Sequence, residues 1–279
     1  MPGIEQSKCI LVTGATAGIG RSLALALARL PSKPQVIATG RRQHRLDELK
    51  SAGLEVVQLE LDTDAASLKK FVDSNLEKYP QLDAVILNAG VQYEFYFDKE
   101  IDVSSGSYPM RGLPLIPTTI PEFQAELNIN YTSITTIVAY LLPHFLKLSD
   151  AGRPSFIVPV TAGLGIVPAV WCPGYSASKA ALRSFTLSLR VQLQDKGTKV
   201  NVLEIIPPLV ESELHDEAGT TENLTNFWMP LDKYTELTIE GLKKGDLTIT
   251  TGNSLTWYEK HENGKEENAH QYLGMRKKW

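Results

Sequence analysis

The sequence predicts an α/β fold built on a doubly wound parallel sheet, in one domain that spans residues 1–279. Short apolar runs alternate with amphipathic stretches along most of the chain. The apolar runs show little polar alternation, as expected for strands that helices cover on both faces. Repeated strand–helix–strand units with right-handed crossovers give a parallel sheet with helices on both sides.

Each element follows from its own stretch of sequence. The β-branched, apolar runs predict strands over residues 8–13, 35–39, 55–59, 84–87, 155–160 and 199–206. The amphipathic stretches between and after them predict helices over residues 21–30, 46–52, 65–78, 122–148, 175–195 and 231–244. A chain of 279 residues is long enough to bury a full core, and it contains no repeat or low-complexity run.

Three stretches lie outside this alternation. Residues 91–121 form a long insertion with five aromatic residues and four prolines, and its aromatic content favours a substrate-side wall or a subunit contact over disorder. Residues 211–245 begin polar and end in a helix, and we expect them to form a lid or substrate-binding segment. Residues 254–279 form a charged C-terminal extension that we expect to be solvated and partly docked on the surface.

Composition and charge exclude several classes of partner. Lys and Arg number 28 against 32 Asp and Glu, so nothing favours nucleic acid or an anionic membrane as partner. No run reaches the roughly 18 consecutive apolar residues that span a bilayer, and the start lacks the apolar core of a secretory signal. The two cysteines and five histidines show no metal-ligand spacing. We therefore expect a cytoplasmic, reduced protein that holds no metal and acts on a small molecule.

A glycine-rich turn, Thr13-Gly-Ala-Thr-Ala-Gly-Ile-Gly20, follows the first predicted strand and opens the first helix. This is the context that a dinucleotide-binding fingerprint requires. Its glycines permit a tight turn and a close approach of the backbone to a pyrophosphate, while the helix N-terminus offers N–H donors and partial positive charge. The residues of this turn assigned to the cofactor are Gly14, Thr16, Gly18, Ile19 and Gly20.

The ends of the next three strands favour a particular cofactor. The second strand ends in Arg41 and Arg42, where an NAD-specific site usually has a carboxylate for the ribose hydroxyls. Two arginines would instead stack on adenine and bind a 2′-phosphate through a forked guanidinium, which favours NADP(H). Asp62 after the third strand is a candidate for holding the adenine amino group. Asn88 after the fourth begins a turn that passes close to the adenosine ribose.

Tyr175 and Lys179 are the candidate catalytic pair. Residues four apart lie on one face of a helix, so the phenol and the ammonium can point the same way. A fixed positive charge beside a phenol lowers its pKa from about 10 towards neutrality. The pair would then act as a proton donor or acceptor at cellular pH.

Together these motifs resemble the common subtype of the short-chain dehydrogenase/reductase family over residues 8–212. The matching elements are the glycine-rich turn, Asp62, Leu87-Asn-Ala-Gly90, Asn130 and Tyr175-Ser-Ala-Ser-Lys179. The resemblance implies a seven-stranded Rossmann sheet whose final strand lies near residues 247–251, and NAD(P)-dependent carbonyl reduction or alcohol oxidation. It also implies a homodimer or homotetramer built on the helices at 122–148 and 175–195.

The resemblance further implies a role for each site residue. Tyr175 would be the general acid in reduction and the general base in oxidation, and Lys179 would lower its pKa and hold the nicotinamide ribose. Asn130 would support a water-linked proton relay to the lysine. The backbone of Val210 would contact the cofactor carboxamide, and Ser212 would lie at its nicotinamide side.

One position departs from the family pattern. The active-site serine is expected thirteen residues before the tyrosine, where this chain has Ala162. Removing one such hydrogen-bond donor can lower the rate by about 10²–10³. The adjacent Thr161 faces the other side of a regular strand, so it replaces the serine only if a bulge turns it round.

Three functions remain open. The first is an NADP(H)-dependent reductase with a modified carbonyl clamp. The second is a non-redox enzyme on this scaffold, catalysing a cyclisation, elimination or isomerisation. The third is a catalytically impaired cofactor-binding protein. Trp171, Cys172, Trp228 and Met229 are expected to shape the pocket, and apolar walls of this kind suit a hydrophobic carbonyl compound.

Overall fold

The computed structural model describes residues 2–97, 120–215 and 224–277. Six parallel strands form the main sheet in the order β3-β2-β1-β4-β5-β6. Their bounds are β1 Cys9–Val12, β2 Gln35–Gly40, β3 Glu55–Gln58, β4 Ala84–Leu87, β5 Ser155–Pro159 and β6 Val200–Val202. From β1 the chain adds β2 and β3 on one side of the sheet and then β4, β5 and β6 on the other. This arrangement makes the sheet doubly wound and confirms the predicted fold class.

Helices cover both faces of this sheet. Their bounds are α1 Gly18–Ala28, α2 Gln43–Ser51, α3 Ala65–Lys78, α4 Ile120–Leu127, α5 Ser133–Asp150, α6 Pro173–Asp195, α7 Leu231–Lys244, α8 Gly252–His261 and α9 Lys265–Arg276. Alternate residues of β1 belong to different cores, because Cys9 and Leu11 pack in one buried cluster and Ile10 and Val12 pack in the other. The sheet is therefore buried on both sides, as its unbroken apolar runs predict.

The predicted count of seven strands in one sheet is wrong. The run at 199–206 forms two strands, β6 and β7 (Glu204–Ile206), and β7 pairs with β8 (Thr248–Thr250) in a separate two-stranded sheet. The chain changes partners at this break, because Leu203 N–H donates to Ile157 while Glu204 N–H donates to Leu247. A single β-bridge between Val160 and Ile205 links β7 to the end of β5.

The predicted helix over 122–148 is also interrupted. A π-helical turn, Asn128–Thr132, separates α4 from α5. Such turns occur mostly as single bulges within α-helices, frequently at functional sites. Here the bulge carries Asn130, which is fully buried.

The C-terminal extension contains two helices that the sequence analysis did not predict. Their acidic residues pair with arginines of α6, through Arg183–Glu262 at 2.9 Å and Arg190–Glu266 at 3.0 Å. Arg190 also donates to the carbonyl of Leu247, beside β8. The extension is therefore docked on the sixth helix along much of its length.

Parts of two predicted segments lie outside the described residues. Of the 91–121 insertion, residues 98–119 are not described, and these include Tyr108 and three of its prolines. Of the 211–245 segment, residues 216–223 are not described. Among the helices that are described, none has the length and hydropathy needed to cross a membrane. The described side chains also hold no cluster of three potential metal ligands.

Candidate active site

The glycine-rich turn joins β1 to α1 and packs against the end of β4. Gly14 and Gly18 have φ values of +66° and +47°, a left-handed conformation that residues with a side chain rarely adopt. A Cβ added at Gly14 would lie 2.7 Å from the Cα of Ala89. The Thr13 hydroxyl accepts hydrogen bonds from the N–H groups of Asn88 and Ala89, at 3.0 and 3.2 Å. The turn is therefore a fixed cradle at the start of a helix, where a phosphate would fit.

Packing and hydrogen bonds within the protein involve Asn88, at the end of β4, and two residues of the turn, Gly20 and Ile19. The Asn88 amide donates to the carbonyls of Thr13 and Gly14 at 3.2 and 3.4 Å, so its side chain ties β4 to the turn. A Cβ on Gly20 would lie only 2.3 Å from that amide nitrogen. The side chain of Ile19 packs against the core, which leaves its backbone for any ligand.

The predicted arginine site follows β2, with one member that the sequence analysis missed. Arg41 is exposed, and the Arg42 guanidinium donates to the hydroxyl of Thr16 at 3.4 Å. Arg45, one helical turn after Arg42, donates to the backbone carbonyl of Thr16 at 3.5 Å. Both Arg42 and Arg45 form ion pairs with Glu213. The i, i+3 spacing on a helix beginning at residue 43 is the sequence signal that would have identified Arg45.

The other predicted cofactor residues are Asp62, Val210 and Ser212. Asp62 is exposed and accepts a hydrogen bond from the Asn128 amide at 2.5 Å. Val210 is buried and lies in a short β-bridge. Ser212 lies over the glycine-rich turn, because its Cβ would be 3.1 Å from a Cβ added at Gly18.

Tyr175 and Lys179 lie together at the start of α6, as their spacing predicts. Their exposed fractions are 7% and 2%, and the Lys179 Nζ is 5.6 Å from the centre of the Tyr175 ring. Lys179 donates its hydrogen bond to the backbone carbonyl of Val160 at 2.9 Å.

The predicted fall in the pKa of Tyr175 is wrong for this structure. Burial raises the pKa of the Tyr175 phenol well above 10. Burial also lowers the pKa of Lys179 from 10.5 to about 8. The reason is that both groups are desolvated, which disfavours the charged form of each, and the ammonium is directed at a carbonyl rather than at the phenol.

Asn130 completes the buried cluster. Its Oδ1 accepts from the Val91 N–H at 2.9 Å, while its Nδ2 donates to the Val91 carbonyl at 2.8 Å and to the Ser178 hydroxyl at 3.1 Å. A Cβ added at Gly90 would lie 3.1 Å from this Oδ1 and 3.4 Å from the Lys179 Nζ. The Asn130 side chain therefore fixes the chain around Gly90 against the lysine.

Comparison with known proteins identifies the family. The short chain dehydrogenase family model matches residues 8–223. The chain belongs to the short-chain dehydrogenase family. It is 33% identical over 242 residues to an uncharacterized oxidoreductase, DltE, of Bacillus subtilis, and the match covers 86% of each chain.

Solved structures confirm the fold of this short-chain dehydrogenase. A short-chain dehydrogenase from Sphingobium yanoikuyae in complex with NADPH matches with a TM-score of 0.70 at 22% identity, covering 90% of this chain and 87% of the other. A short chain dehydrogenase/reductase from Burkholderia phymatum in complex with NAD matches with a TM-score of 0.73 at 18% identity, covering 97% and 95%. The neighbours thus include complexes with both nicotinamide dinucleotides.

Ala162, where the sequence analysis expects the family serine, offers only an apolar side chain. Ala162 packs in a small buried cluster with Ala169, Cys172 and Tyr175. The hydroxyl of Thr161 cannot substitute, because it donates to the buried Glu204 carboxylate at 2.7 Å on the opposite side of the strand. The strand alternation used to predict this orientation therefore holds.

A buried ion pair occupies the other side of that strand. Arg183 donates to Glu204 at 2.7 Å and to Glu262 of the extension at 2.9 Å. Burial raises the pKa of Glu204, and the charge of Arg183 and the hydrogen bond from Thr161 oppose that rise. Thr161 thus belongs to a polar network that links the end of β5 to α6 and to Glu262, the residue after α8.

Glu126 is a buried acid that the sequence analysis missed. It is 1% exposed, and its Oε1 accepts a hydrogen bond from the Tyr93 N–H at 2.7 Å. A Cβ added at Gly174 would lie 2.1 Å from its other oxygen, so glycine there makes room for the carboxyl group beside Tyr175. Burial raises the pKa of Glu126 to about 7. A lone acid in an amphipathic stretch gives no sequence signal that it will be buried.

Aromatic residues lie beside this acid. The Phe95 ring contacts those of Phe97 and Phe123, with centroids 4.7 and 5.5 Å apart. The Phe95 N–H donates to the carbonyl of Trp171, whose side chain is 48% exposed. Cys172 is fully buried, and burial raises the pKa of its thiol to about 12, so it is a packing residue rather than a nucleophile.

Proposed function

We propose that this short-chain dehydrogenase is an NADP(H)-dependent reductase that acts on a carbonyl group of a hydrophobic small molecule. The observation that carries the proposal is the buried cluster of Tyr175, Lys179 and Asn130, which lies at the carboxyl ends of the strands beside the glycine-rich turn. In open α/β sheets, ligands bind in the crevice outside the carboxyl ends of the strands.

The residues present fit a phosphorylated dinucleotide. Gly14 and Gly18 give the turn its left-handed backbone at the N-terminus of α1, where N–H groups and the helix dipole favour a phosphate. The guanidinium groups of Arg42 and Arg45 converge beside Thr16, where they already bind a carboxylate. A planar guanidinium binds phosphate in the same forked manner. These arginines would hold the 2′-phosphate, and Arg41 lies beside them at the surface.

A nicotinamide bound here would supply hydride, and the chain's own residues control the proton. Tyr175 donates its phenolic proton to the oxygen of the carbonyl group as negative charge develops there. A phenol whose pKa is raised by burial is in its protonated form, which suits the reduction direction near neutral pH. Lys179, with a pKa of about 8, is largely protonated at pH 7 and stabilises the phenolate that remains. Asn130 holds the chain around Gly90 in place beside the lysine.

The substrate class is inferred from the side chains around the cluster. Ala162, Cys172 and the contacting rings of Phe95 and Phe123 are apolar, and Trp171 is partly exposed beside them. Apolar walls with few polar groups favour a hydrophobic ligand. A panel of aromatic ketones and polar sugars tests this point, and higher kcat/KM values for the sugars would contradict it.

The alanine at position 162 favours a second candidate, a cofactor-binding protein with little turnover or a non-redox enzyme on the same scaffold. The specific observation concerns the hydroxyl donors. Ala162 has no hydroxyl and that of Thr161 is hydrogen-bonded to Glu204, so neither residue offers the substrate a free donor. Restoring the donor distinguishes the two candidates.

The deciding experiment is the Ala162→Ser variant, assayed by NADPH consumption on a broad carbonyl panel. A reductase built around this pocket should gain about 10²- to 10³-fold in kcat, since that is the contribution of one such donor. Ala169→Ser is the matched control, because it adds the same hydroxyl elsewhere in the same buried cluster. No gain from Ala162→Ser, with Tyr175→Phe also without effect, would favour the second candidate.

Cofactor preference is measured separately. Titration of the wild-type protein should show NADPH bound about ten-fold or more tightly than NADH, because hydrogen bonds to a charged phosphate contribute about 1.5–3 kcal/mol each. Equal affinities, or a preference for NADH, would contradict the proposed cofactor.

A further inference from the structure

A carboxylate of this chain occupies the arginine pair after β2. One oxygen of Glu213 accepts from Arg42 Nη1 at 2.9 Å, and the other accepts from Arg45 Nη1 at 2.7 Å. The two guanidinium groups therefore share one acid, with each carboxylate oxygen bound to a different arginine. A bridging acid of this kind is itself evidence that the pair forms an anion site.

The position of this anion site relates it to the cofactor cleft. Arg42 and Arg45 both reach Thr16 of the glycine-rich turn, through its hydroxyl and its carbonyl. Ser212, the residue before Glu213, lies directly over Gly18 of the same turn. The Glu213 carboxylate thus lies where the arginines would bind the 2′-phosphate.

Glu213 is not required to hold its own segment in place. Val210 pairs with Met229 in a β-bridge, and the Glu211 N–H donates to the Met229 carbonyl at 3.0 Å. The Glu211 carboxylate also accepts from the N–H of Leu231 at the start of α7. Because these contacts anchor the segment independently, the Glu213 side chain can leave the arginines without unfolding its surroundings.

We propose that Glu213 is a built-in competitor for the 2′-phosphate, and that it sets how strongly this chain prefers NADP(H) to NAD(H). The inference rests on the proposed function only in taking the arginine pair as the 2′-phosphate site. The carboxylate neutralises the pair when the site is free, and a phosphate must displace it. NADH has no 2′-phosphate, so its binding does not require that displacement.

Charge and exposure set the size of the competition. Glu213 is ionised at neutral pH. Burial acts to raise the pKa of its carboxyl group, but the hydrogen bonds from Arg45 and Arg42 have the larger effect, and the net pKa is lowered. A 2′-phosphate carries up to two negative charges at pH 7, so the two anions repel each other at one arginine pair. The side chain of Glu213 is 38% exposed, and ion pairs this exposed are weak. Removing the competitor should therefore raise NADPH affinity by about three- to ten-fold.

The test is the Glu213→Gln variant, which keeps the shape of the side chain and removes its charge. Dissociation constants for NADPH and NADH are measured by titration on the full-length wild type and variant. The variant should bind NADPH about three- to ten-fold more tightly, with NADH affinity unchanged. Adenosine 2′,5′-bisphosphate and 5′-AMP serve as a second pair of probes, since they differ only by the 2′-phosphate.

Glu48→Gln is the matched control. Glu48 lies on α2, as Arg45 does. It carries the same charge as Glu213 and pairs with Arg21 at 3.2 Å, but that arginine does not reach Thr16. This variant removes the same charge and should leave both cofactor affinities unchanged. Adding Arg45→Met to Glu213→Gln should reduce the gain in NADPH affinity, since it removes half of the contested site.

Unchanged or weaker NADPH binding by Glu213→Gln would overturn the inference, as would an equal gain for NADH. These outcomes are separate from failure of the proposed function. If the wild type prefers NADH, the proposed cofactor is wrong. The competition between Glu213 and the 2′-phosphate is then still tested by the change in NADPH affinity from wild type to variant. If no carbonyl compound is reduced, the affinity measurements still decide the role of Glu213.

Discussion

The buried ammonium of Lys179 should make the stability of this protein depend on pH in a defined way. Lys179 is 2% exposed, and burial lowers its pKa from 10.5 to about 8. In the unfolded chain the amine titrates at its ordinary pKa, so between about pH 8 and 10.5 the unfolded state binds more protons than the folded state. The free energy of unfolding therefore falls as the pH falls through this window, and the full penalty is present below pH 8.

The size of the effect follows from the two pKa values. At about 1.4 kcal/mol per pH unit, their difference corresponds to about 3 kcal/mol of folded-state penalty at pH 7. Lys179→Met removes that penalty, but it leaves the Val160 carbonyl without its donor, which costs about 1–3 kcal/mol. The variant should thus match or slightly exceed the wild-type stability at pH 7. Above pH 10.5 it should be less stable by about 1–3 kcal/mol.

Urea unfolding followed by tryptophan fluorescence at several pH values between 7 and 10.5 measures this difference. Lys199→Met is the matched control, because Lys199 also donates to a backbone carbonyl, that of Gly152 at 3.0 Å, but lies at the surface. Its difference from the wild type should stay constant with pH. A constant difference for Lys179→Met as well would refute the reasoning and show that the amine is not desolvated.

Two further predictions concern other buried groups. Glu204→Gln should lower the free energy of unfolding by roughly 1–3 kcal/mol, because it removes one of the two carboxylates paired with Arg183 and weakens the hydrogen bond from Thr161. Urea unfolding measures this loss, and a value below about 0.5 kcal/mol would mean that the pair is solvated. Cys9 and Cys172, whose thiol pKa values burial raises to about 12, should resist iodoacetamide in the native protein and react after unfolding, which mass spectrometry detects. Rapid native labelling of Cys172 would contradict its burial.

Local patterns in the sequence were enough to predict most of the fold and that Tyr175 and Lys179 lie side by side. Tyr175 and Lys179 share a helix face because their spacing is fixed by helical geometry. Thr161 faces away from the cleft because strand residues alternate. The break between β6 and β7 at Leu203 could not be predicted. An apolar run has the same sequence pattern whether its backbone hydrogen bonds go to one neighbouring strand or to two.

Contacts between distant parts of the chain explain what the sequence analysis missed. Glu213 and Arg45 are 168 positions apart, and no local pattern indicates that they meet. The sequence predicted a largely solvated tail. Its acidic residues meet the arginines of α6 only after both segments have folded, so no local pattern indicates the contact. Burial of Glu126 likewise depends on Tyr93 and on the space at Gly174, both far from it in sequence.

The two docked C-terminal helices limit how this chain can be recombined with its relatives. The helix that carries Tyr175 also carries Arg183 and Arg190, whose carboxylate partners Glu262 and Glu266 lie beyond the matched family region. A chimera that exchanges the tail alone would leave the buried Arg190 without its carboxylate partner and Arg183 with Glu204 as its remaining partner. Successful domain shuffling should therefore transfer α6, α8 and α9 as one block.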